Sequence, residues 1–325
     1  METRSLGELT TSALGLGTMG MSGGYGVQDE GLCLETVEEA LKCGINLIDT
    51  ADFYGGGEGE RLIGRAIAGR RDEVTLVVKT GIRPDPAGGM MLDGRPEYLR
   101  EAVNGSLQRL GTDHLDIYCL AWRDPKVPIE ESVGALGELV AAGKVRHLAL
   151  SEVSASTLRA ARAVHPVVAV ATEYSLCQRH VEDGILAELR ASGCGLLAYA
   201  PLGRGLLTGT VTRLSDLDQG DWRNNFPRFA DGNLERNREL MEPVREVAAR
   251  TGLTLSQLAI SWLLHRGPDV VPLVGAKHPG HIAEDAAATS VVLGADDLAV
   301  LEHCFPAQQI AGERYAPSVA SLIDA

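Results

Sequence analysis

Short β-branched apolar runs alternate with longer stretches of helical apolar spacing along most of this 325-residue chain. The spacing predicts a strand over 14–17, a helix over 29–43 closed by Gly44, and a strand over 45–49. It goes on to predict helices over 60–69, 95–110, 129–142, 154–164 and 181–192. Strands are predicted over 74–79, 115–120, 145–150, 167–171, 195–199 and 270–274. Repeated strand–helix units imply parallel pairing with right-handed crossovers, and eight strands point to a closed (β/α)8 TIM barrel. An open doubly wound sheet is the structural alternative, but its phosphate fingerprint is missing. Gly15-Leu16-Gly17-Thr18-Met19-Gly20 has the wrong third spacing for GxGxxG. No linker or low-complexity tract divides the chain, so 1–325 is expected to form one domain.

Two stretches break the rhythm. Residues 201–231 are rich in Gly, Arg and Asn and are longer than a plain strand-to-helix connection, while 307–325 forms a tail with little periodicity. Insertions at the C-terminal face of such a barrel shape a ligand site; a disordered surface loop is the alternative for each.

Three apolar runs end in polar residues, as expected where a buried strand opens into a loop at a barrel mouth. The first is Ile48-Asp49-Thr50-Ala51-Asp52-Phe53-Tyr54-Gly55 and the second Val77-Val78-Lys79-Thr80. The third is Ile117-Tyr118-Cys119-Leu120-Ala121-Trp122-Arg123-Asp124-Pro125. The first two supply an acid, a phenol and an amine from neighbouring strand ends. A tyrosine near its ordinary pKa of about 10 is a poor proton donor at neutral pH. A lysine ammonium in hydrogen-bond reach lowers that pKa, and a carboxylate keeps the lysine charged and oriented. Tyr54 is thus the candidate general acid, Lys79 its tuner and Asp49 the lysine's anchor. Taken singly, a buried Asp-Lys pair can be structural and a tyrosine beside glycines a loop anchor.

Composition narrows the partners. Apolar content of 45% with 23% charged residues suits a globular chain with a sizeable core. A formal charge of −14 argues against nucleic acid or an anionic membrane as the main partner, leaving a small molecule. The six cysteines, Cys33, Cys43, Cys119, Cys177, Cys194 and Cys304, form no CxxC and mostly sit in apolar runs. Free thiols in a reducing cytosol are expected, with no metal site. No leader-like apolar region follows Met1 and no run of 18 apolar residues occurs, so a soluble cytoplasmic protein is expected.

Together with Ser151-Glu152, Glu173-Tyr174-Ser175-Leu176, the run from Ala198 to Gly209 and Gly275-Ala276-Lys277-His278, these segments resemble an aldo-keto reductase. The similarity lies with the bacterial branch related to the voltage-gated potassium-channel β subunits and runs from about Leu6 to about Leu301. The resemblance implies a barrel that binds NADP(H) in extended form without a Rossmann domain. Hydride would pass to a carbonyl while Tyr54 supplies the proton.

The cofactor residues that the resemblance carries over are Gly17, Thr18, Met19, Ser151, Glu173, Tyr199, Pro201, Leu202, Gly203, Arg204, Gly205, Lys277, His281, Glu284 and Asp285. Tyr199 matches the aromatic that stacks on the nicotinamide, and Ser151 a carboxamide contact. Ala171 stands where a glutamine is usual. Leu202, Gly203 and Arg204 match the pyrophosphate region, where glycine permits close backbone approach and arginine gives charge-assisted bonds. Lys277 and His278 stand where basic residues meet the 2′-phosphate, and a helix beginning near Pro279 would add its N-terminal dipole. Asp285 beside a phosphate is unfavourable; NADPH is nonetheless expected over NADH, with plain surface charge the alternative for Lys277.

Where the family carries a histidine, three residues before Asp-Pro, this chain has Ala121. Loss of a group that orients and polarises the carbonyl costs on the order of 10²–10⁴ in rate. The substrate can position itself through other groups, as in pyridoxal-reductase-like members, or fill the vacated space. It can also be an activated electrophile such as an iminium. A replacement histidine, His180, is a further option. Met21, Tyr25, Ala121, Trp122, Trp222 and Phe226 are the candidate pocket residues. The reading is an NAD(P)H-dependent reductase of an aldehyde or ketone (pyridoxal-type, sugar or natural-product). A non-catalytic NADPH-binding regulatory subunit is the alternative.

Overall fold

The structure is a computed structural model that describes residues 1–85, 89–230 and 232–324. Eight parallel strands close into a barrel: β1 Gly15–Gly17, β2 Leu47–Ala51, β3 Thr75–Thr80, β4 Leu115–Ala121, β5 Val145–Ser151, β6 Ala169–Glu173, β7 Gly195–Tyr199 and β8 Val270–Gly275. Each pairs with its successor and β8 returns to β1, so no edge is left and the open-sheet alternative is excluded. Helices α1 Glu30–Lys42, α2 Glu58–Ala66, α3 Pro96–Leu110, α4 Ile129–Ala141, α5 Ala155–Val164 and α6 Ile185–Ser192 follow β1 to β6 in turn.

The strand period of two decides which side chains enter the barrel. Leu47, Val77, Ile117, Cys119, Ala149, Ala169, Ala171, Leu197, Val271 and Leu273 form one buried interior cluster. Their neighbours Ile48, Leu76, Val78, Leu120, Leu148, Val170, Leu196 and Val274 join the larger apolar layer packed beneath the helices. Continuing that alternation to the C-terminal strand ends places Asp49, Lys79, Ala121, Ser151 and Tyr199 on the interior side. In register, Asp49 pairs with Val77, Lys79 with Cys119 and Ala121 with Ser151.

Strand boundaries slide from the sequence expectation where a buried strand continues into polar residues. β2 and β6 run two residues past their predicted ends because Thr50, Thr172 and Glu173 are themselves buried. The predicted helix over 181–192 is instead a 3₁₀ turn at His180–Asp183 and α6, separated by Gly184. An N-terminal hairpin, Thr3–Leu6 with Leu9–Ser12, was not expected; its Leu6 plugs the interior cluster.

The stretch from 201 is a chain of 3₁₀ turns that leads into helices α7 Asn233–Glu239, α8 Glu242–Thr251 and α9 Leu255–Leu264. After β8 come α10 Pro279–Ala287 and α11 Ala295–His303. The last residues of the two arrhythmic stretches, 231 and 325, lie outside the described residues. All six cysteines are free, and all but Cys43 are buried. No helix among the described residues is long and apolar enough to cross a membrane.

Candidate active site

The trio from β2 and β3 meets at the barrel mouth. Lys79 Nζ bonds both carboxylate oxygens of Asp49, and the two residues are 6% and 3% exposed. Tyr54 stands on a 3₁₀ turn just after β2, and Lys79 Nζ lies 5.6 Å from its ring centroid. The turn reverses through Gly55, Gly56 and Gly57, all at positive φ, and a Cβ on Gly57 would lie 2.6 Å from Arg109 Cδ.

Burial pushes the Tyr54 hydroxyl up to about 12, and the Lys79 charge only partly offsets this. The expected lowering by the lysine is therefore real but outweighed, because removing a phenolate from water costs more than one ammonium returns. Burial likewise works against the Lys79 charge, but Asp49 and Tyr54 outweigh it and lift its pKa above the usual lysine range. At neutral pH the site holds an ammonium and a protonated phenol, a donor for an oxygen that gains negative charge.

A cavity of about 1370 Å³ opens over this trio. That exceeds the roughly 300–1,000 Å³ of an ordinary small-molecule site and suits an extended cofactor together with a substrate. More than half of the chain's Phe, Tyr and Trp residues line it, among them Tyr25, Phe53, Trp122, Trp222 and Phe226. Ala121 sits in an apolar patch with Ile82, Leu92, Phe53, Trp122 and Leu322. No donor fills the position of the absent histidine from its own strand. His180 does not reach the mouth; its ring is held by Thr172, Gln178 and Arg314. Burial and the Arg314 charge lower its pKa.

The tail, which periodicity left unread, completes the wall. Arg314 bonds the buried Glu152, whose Oε1 also accepts from Thr172 at 2.8 Å, the Glu173 amide at 3.1 Å and the Tyr199 hydroxyl at 2.6 Å. The Tyr199 and Tyr315 hydroxyls are 2.7 Å apart. Arg204 donates to Glu173 at 2.5 Å and lies 4.0 Å from the Phe226 ring centroid and 5.0 Å from that of Tyr315. Trp122, Glu152, Ala200 and Arg204 all take positive φ, three of them immediately after barrel strands. Strain of this kind gathers where side chains must be aimed at a site.

The remaining sequence candidates divide. Gly17, Met19, Ser151, Tyr199, Pro201, Leu202, Arg204, Gly205, Lys277, His281, Glu284 and Asp285 line the cavity. The Ser151 hydroxyl has no hydrogen-bond partner among the described residues and is free for a ligand. Thr18, Met21, Glu173 and Gly203 do not line it. Met21 belongs to the core, where its thioether fills the apolar layer rather than the pocket. Glu173 is buried as the counter-ion of Arg204, and Thr18 donates to the Asp49 carbonyl at 3.0 Å. Gly203 is a turn residue packed on Cys177, whose sulfur would lie 2.9 Å from a Cβ there.

At the far end of the cavity, Lys277 Nζ donates to the carbonyls of Tyr25 (2.5 Å) and Val27 (2.9 Å), pinning that loop. His278 caps α10, accepting from the Gly280 amide, and the exposed His281 ring follows at 5.5 Å. Asp285 is 3% exposed; burial and the neighbouring Glu284 push its carboxyl up to about 7. Among the described residues no cluster of His, Cys, Asp and Glu is placed to hold a metal. Glu152, Arg314 and Tyr315 were missed as site residues because nothing in spacing marks a tail residue that pairs 162 positions upstream.

The sequence profile of the aldo/keto reductase family matches residues 13–305. The chain is 36% identical to the aldo-keto reductase yakc [NADP(+)] of Schizosaccharomyces pombe, over 99% of this chain and 96% of that protein. Its fold matches the glycerol dehydrogenase of Gluconobacter oxydans at a TM-score of 0.85, with 30% identity, covering 97% of this chain and 98% of the other. An aldo/keto reductase of Klebsiella pneumoniae in complex with NADP and acetate matches at 0.71, with 27% identity, over 96% of this chain and 97% of that one. The chain belongs to the aldo/keto reductase family.

Proposed function

We propose that this chain is an NADP(H)-dependent reductase of a neutral, ring-bearing aldehyde or ketone, with Tyr54 as proton donor and the Lys79–Asp49 pair behind it. One observation carries the substrate class. Around Tyr54 each cation already has its own carboxylate: Lys79 with Asp49, Arg204 with Glu173, Arg223 with Asp221 and Arg314 with Glu152. Among the described residues around Tyr54 none is left unpaired to receive a substrate phosphate or carboxylate, whereas the aromatic walls suit stacking on a planar body. Among pyridoxal-type, sugar and natural-product carbonyls, uncharged aromatic and conjugated ketones fit best; phosphorylated ones fit poorly.

NADPH is supported by the Schizosaccharomyces relative and the NADP complex of the Klebsiella enzyme. The residues that would hold it are Ser151 with its free hydroxyl, Tyr199, the turn from Pro201 to Gly205, and His278 and His281 at the start of α10. When bound, that cofactor supplies the hydride. The protein's part is to seat the carbonyl carbon, exclude water with its aromatic walls and deliver the Tyr54 proton to the oxygen. The phenolate left behind is stabilised by Lys79 until solvent reprotonates it.

The test is NADPH consumption against neutral aromatic aldehydes, diketones, pyridoxal and phosphorylated counterparts. Tyr54→Phe should lower kcat by about 10³-fold while NADPH affinity stays within about twofold. Equal turnover by the Phe variant would refute the assignment.

A further inference from the structure

We propose that Asp52 is a positioning residue: its carboxyl clamps the turn that carries Tyr54 onto the end of the strand that carries Lys79. This rests on the reductase reading and adds a residue that acts on the site from outside the cavity.

Asp52 follows β2 directly and precedes Tyr54 by two residues. It is tied twice to the end of β3. Its amide donates to the Lys79 carbonyl at 3.0 Å, and its Oδ2 accepts from the Thr80 hydroxyl at 2.6 Å. The strand period sends Lys79 into the barrel and Thr80 to the opposite face, so Asp52 grips β3 from behind the lysine. Beyond Tyr54 the turn is Gly55-Gly56-Gly57, which offers no side chain for a second anchor.

The surroundings make this clamp sensitive to charge. Helix α2 packs directly against β2 and the turn: a Cβ on Gly59 would lie 3.3 Å from Tyr54 Cβ and 3.5 Å from the Thr50 hydroxyl. The next residue, Glu60, is fully buried and pairs with Arg109 of α3 at 2.5 Å. Thr50, Thr80 and Tyr118, on the helix-facing side of β2, β3 and β4, are fully buried too. In that layer Asp52 Oδ1, Glu60 Oε1, Thr50 Oγ1 and the Tyr118 hydroxyl are shut off from solvent without a partner among the described residues.

Besides Glu60 and Arg109, the titratable groups around Asp52 are the phenols Tyr98 of α3 and Tyr118 of β4. Burial, with Glu60 adding to it, pushes the Asp52 carboxyl up to about 7, although the Thr80 bond and Arg109 work the other way. Below that pH Asp52 is neutral and accepts from Thr80 without adding charge to the layer. Above it a second carboxylate joins Glu60 there, and relief comes when the turn swings toward water, taking Tyr54 with it. Tyr54 and Lys79 titrate far above this range, so neither accounts for a change near pH 7.

The experiment follows kcat at saturating NADPH between about pH 6 and pH 9 in wild type, Asp52→Asn and Asp52→Ala, beside hydrogen exchange of the position-52 amide. Asn keeps an oxygen for Thr80 and never ionises. It should match wild-type kcat within about twofold at the acid end and hold it throughout. Wild type should fall at least about tenfold as pH rises past about 7, the cost of a displaced proton donor. Asp52→Ala, which has no clamp, should sit at least about tenfold low at every pH, with NADPH affinity within about twofold of wild type. Amide exchange, corrected for its intrinsic pH dependence, should accelerate with pH in wild type and stay flat in Asp52→Asn. Superimposable kcat profiles of wild type and Asp52→Asn would overturn the proposal, as would wild-type kcat in a folded Asp52→Ala; if that variant does not fold, the Asn profile decides. A wild-type protein that binds NADPH but reduces nothing would sink the reductase reading itself. The exchange data would then decide the clamp, and flat exchange in wild type would overturn it.

Discussion

The two ends of the cavity treat buried charge in opposite ways. At the barrel end Lys79–Asp49, Arg204–Glu173 and Arg314–Glu152 are complete pairs, each almost fully enclosed. At the α10 end Asp285 is equally buried yet has no ion-pair partner among the described residues, and Glu284 is the charge that acts on it. A carboxylate with a cation beside it is held in its charged form, so the barrel end is preset. An unpaired carboxyl titrates near neutrality, so the α10 end responds to pH.

The sharpest way to break this contrast is to remove one partner of a pair. Lys79→Met leaves Asp49 buried and alone, which should cost about 3–5 kcal/mol of stability, together with about 10³-fold in kcat. Lys79→Met/Asp49→Asn should recover most of the stability and none of the activity. Chemical denaturation beside steady-state kinetics separates the two losses. Matching recovery of both would mean that the pair only holds the fold.

How far this end was visible beforehand follows from strand alternation. Leu47, Asp49 and Ala51 share one face of β2, and Val77 and Lys79 one face of β3, so the trio's convergence is a consequence of local period. Barrel closure followed from counting strand–helix units. Two features had no such signal. Glu152, directly after β5, gives no cue to its cation, because Arg314 arrives from a tail without periodicity. The burial of Met21 was equally hidden, since a methionine in a mouth loop suits core and pocket alike.

Arg314 therefore tests whether a late-arriving cation matters as much as one on the barrel. Arg314→Met strands Glu152, although Thr172, the Glu173 amide and Tyr199 still donate to it. The expected loss is about 3 kcal/mol, with weaker NADPH binding as Tyr199 loses its bracing. Adding Glu152→Gln should restore stability. If Arg314→Met unfolds at the wild-type denaturant midpoint, the tail pair is ornamental and the contrast applies to the barrel strands alone.

At the other end, Asp285→Asn should act only through pH. The folded carboxyl titrates at about 7 against an ordinary 3.8, so the folded protein keeps a proton that the unfolded chain releases. Stability is consequently lost between about pH 4 and pH 7 and the penalty is complete above pH 7. Three pKa units set a ceiling near 4 kcal/mol, which water in the open cavity reduces to about 2. The Asn variant should match wild type at pH 4 and exceed it at pH 8. NADPH should also bind it several-fold more tightly at pH 8, with little difference at pH 6. Parallel pH profiles for the two proteins would show that Asp285 has a partner after all.

The smallest effect concerns the tail's outer end and decides what holds the cavity wall in place. Asp324 accepts from the Ser154 hydroxyl at 3.2 Å and the Thr157 hydroxyl at 2.5 Å, and lies 3.6 Å from Arg123. It adds negative charge to the N-terminus of α5, a favourable but only partly buried arrangement. Asp324→Ala should cost about 1 kcal/mol, roughly 2 °C in Tm for a chain of this size. Because Arg314 and Tyr315 lie inward of that clasp, NADPH affinity should not move. A loss of affinity as large as that of Arg314→Met would mean that the outer clasp, not the buried pair, seats Tyr315 against Tyr199.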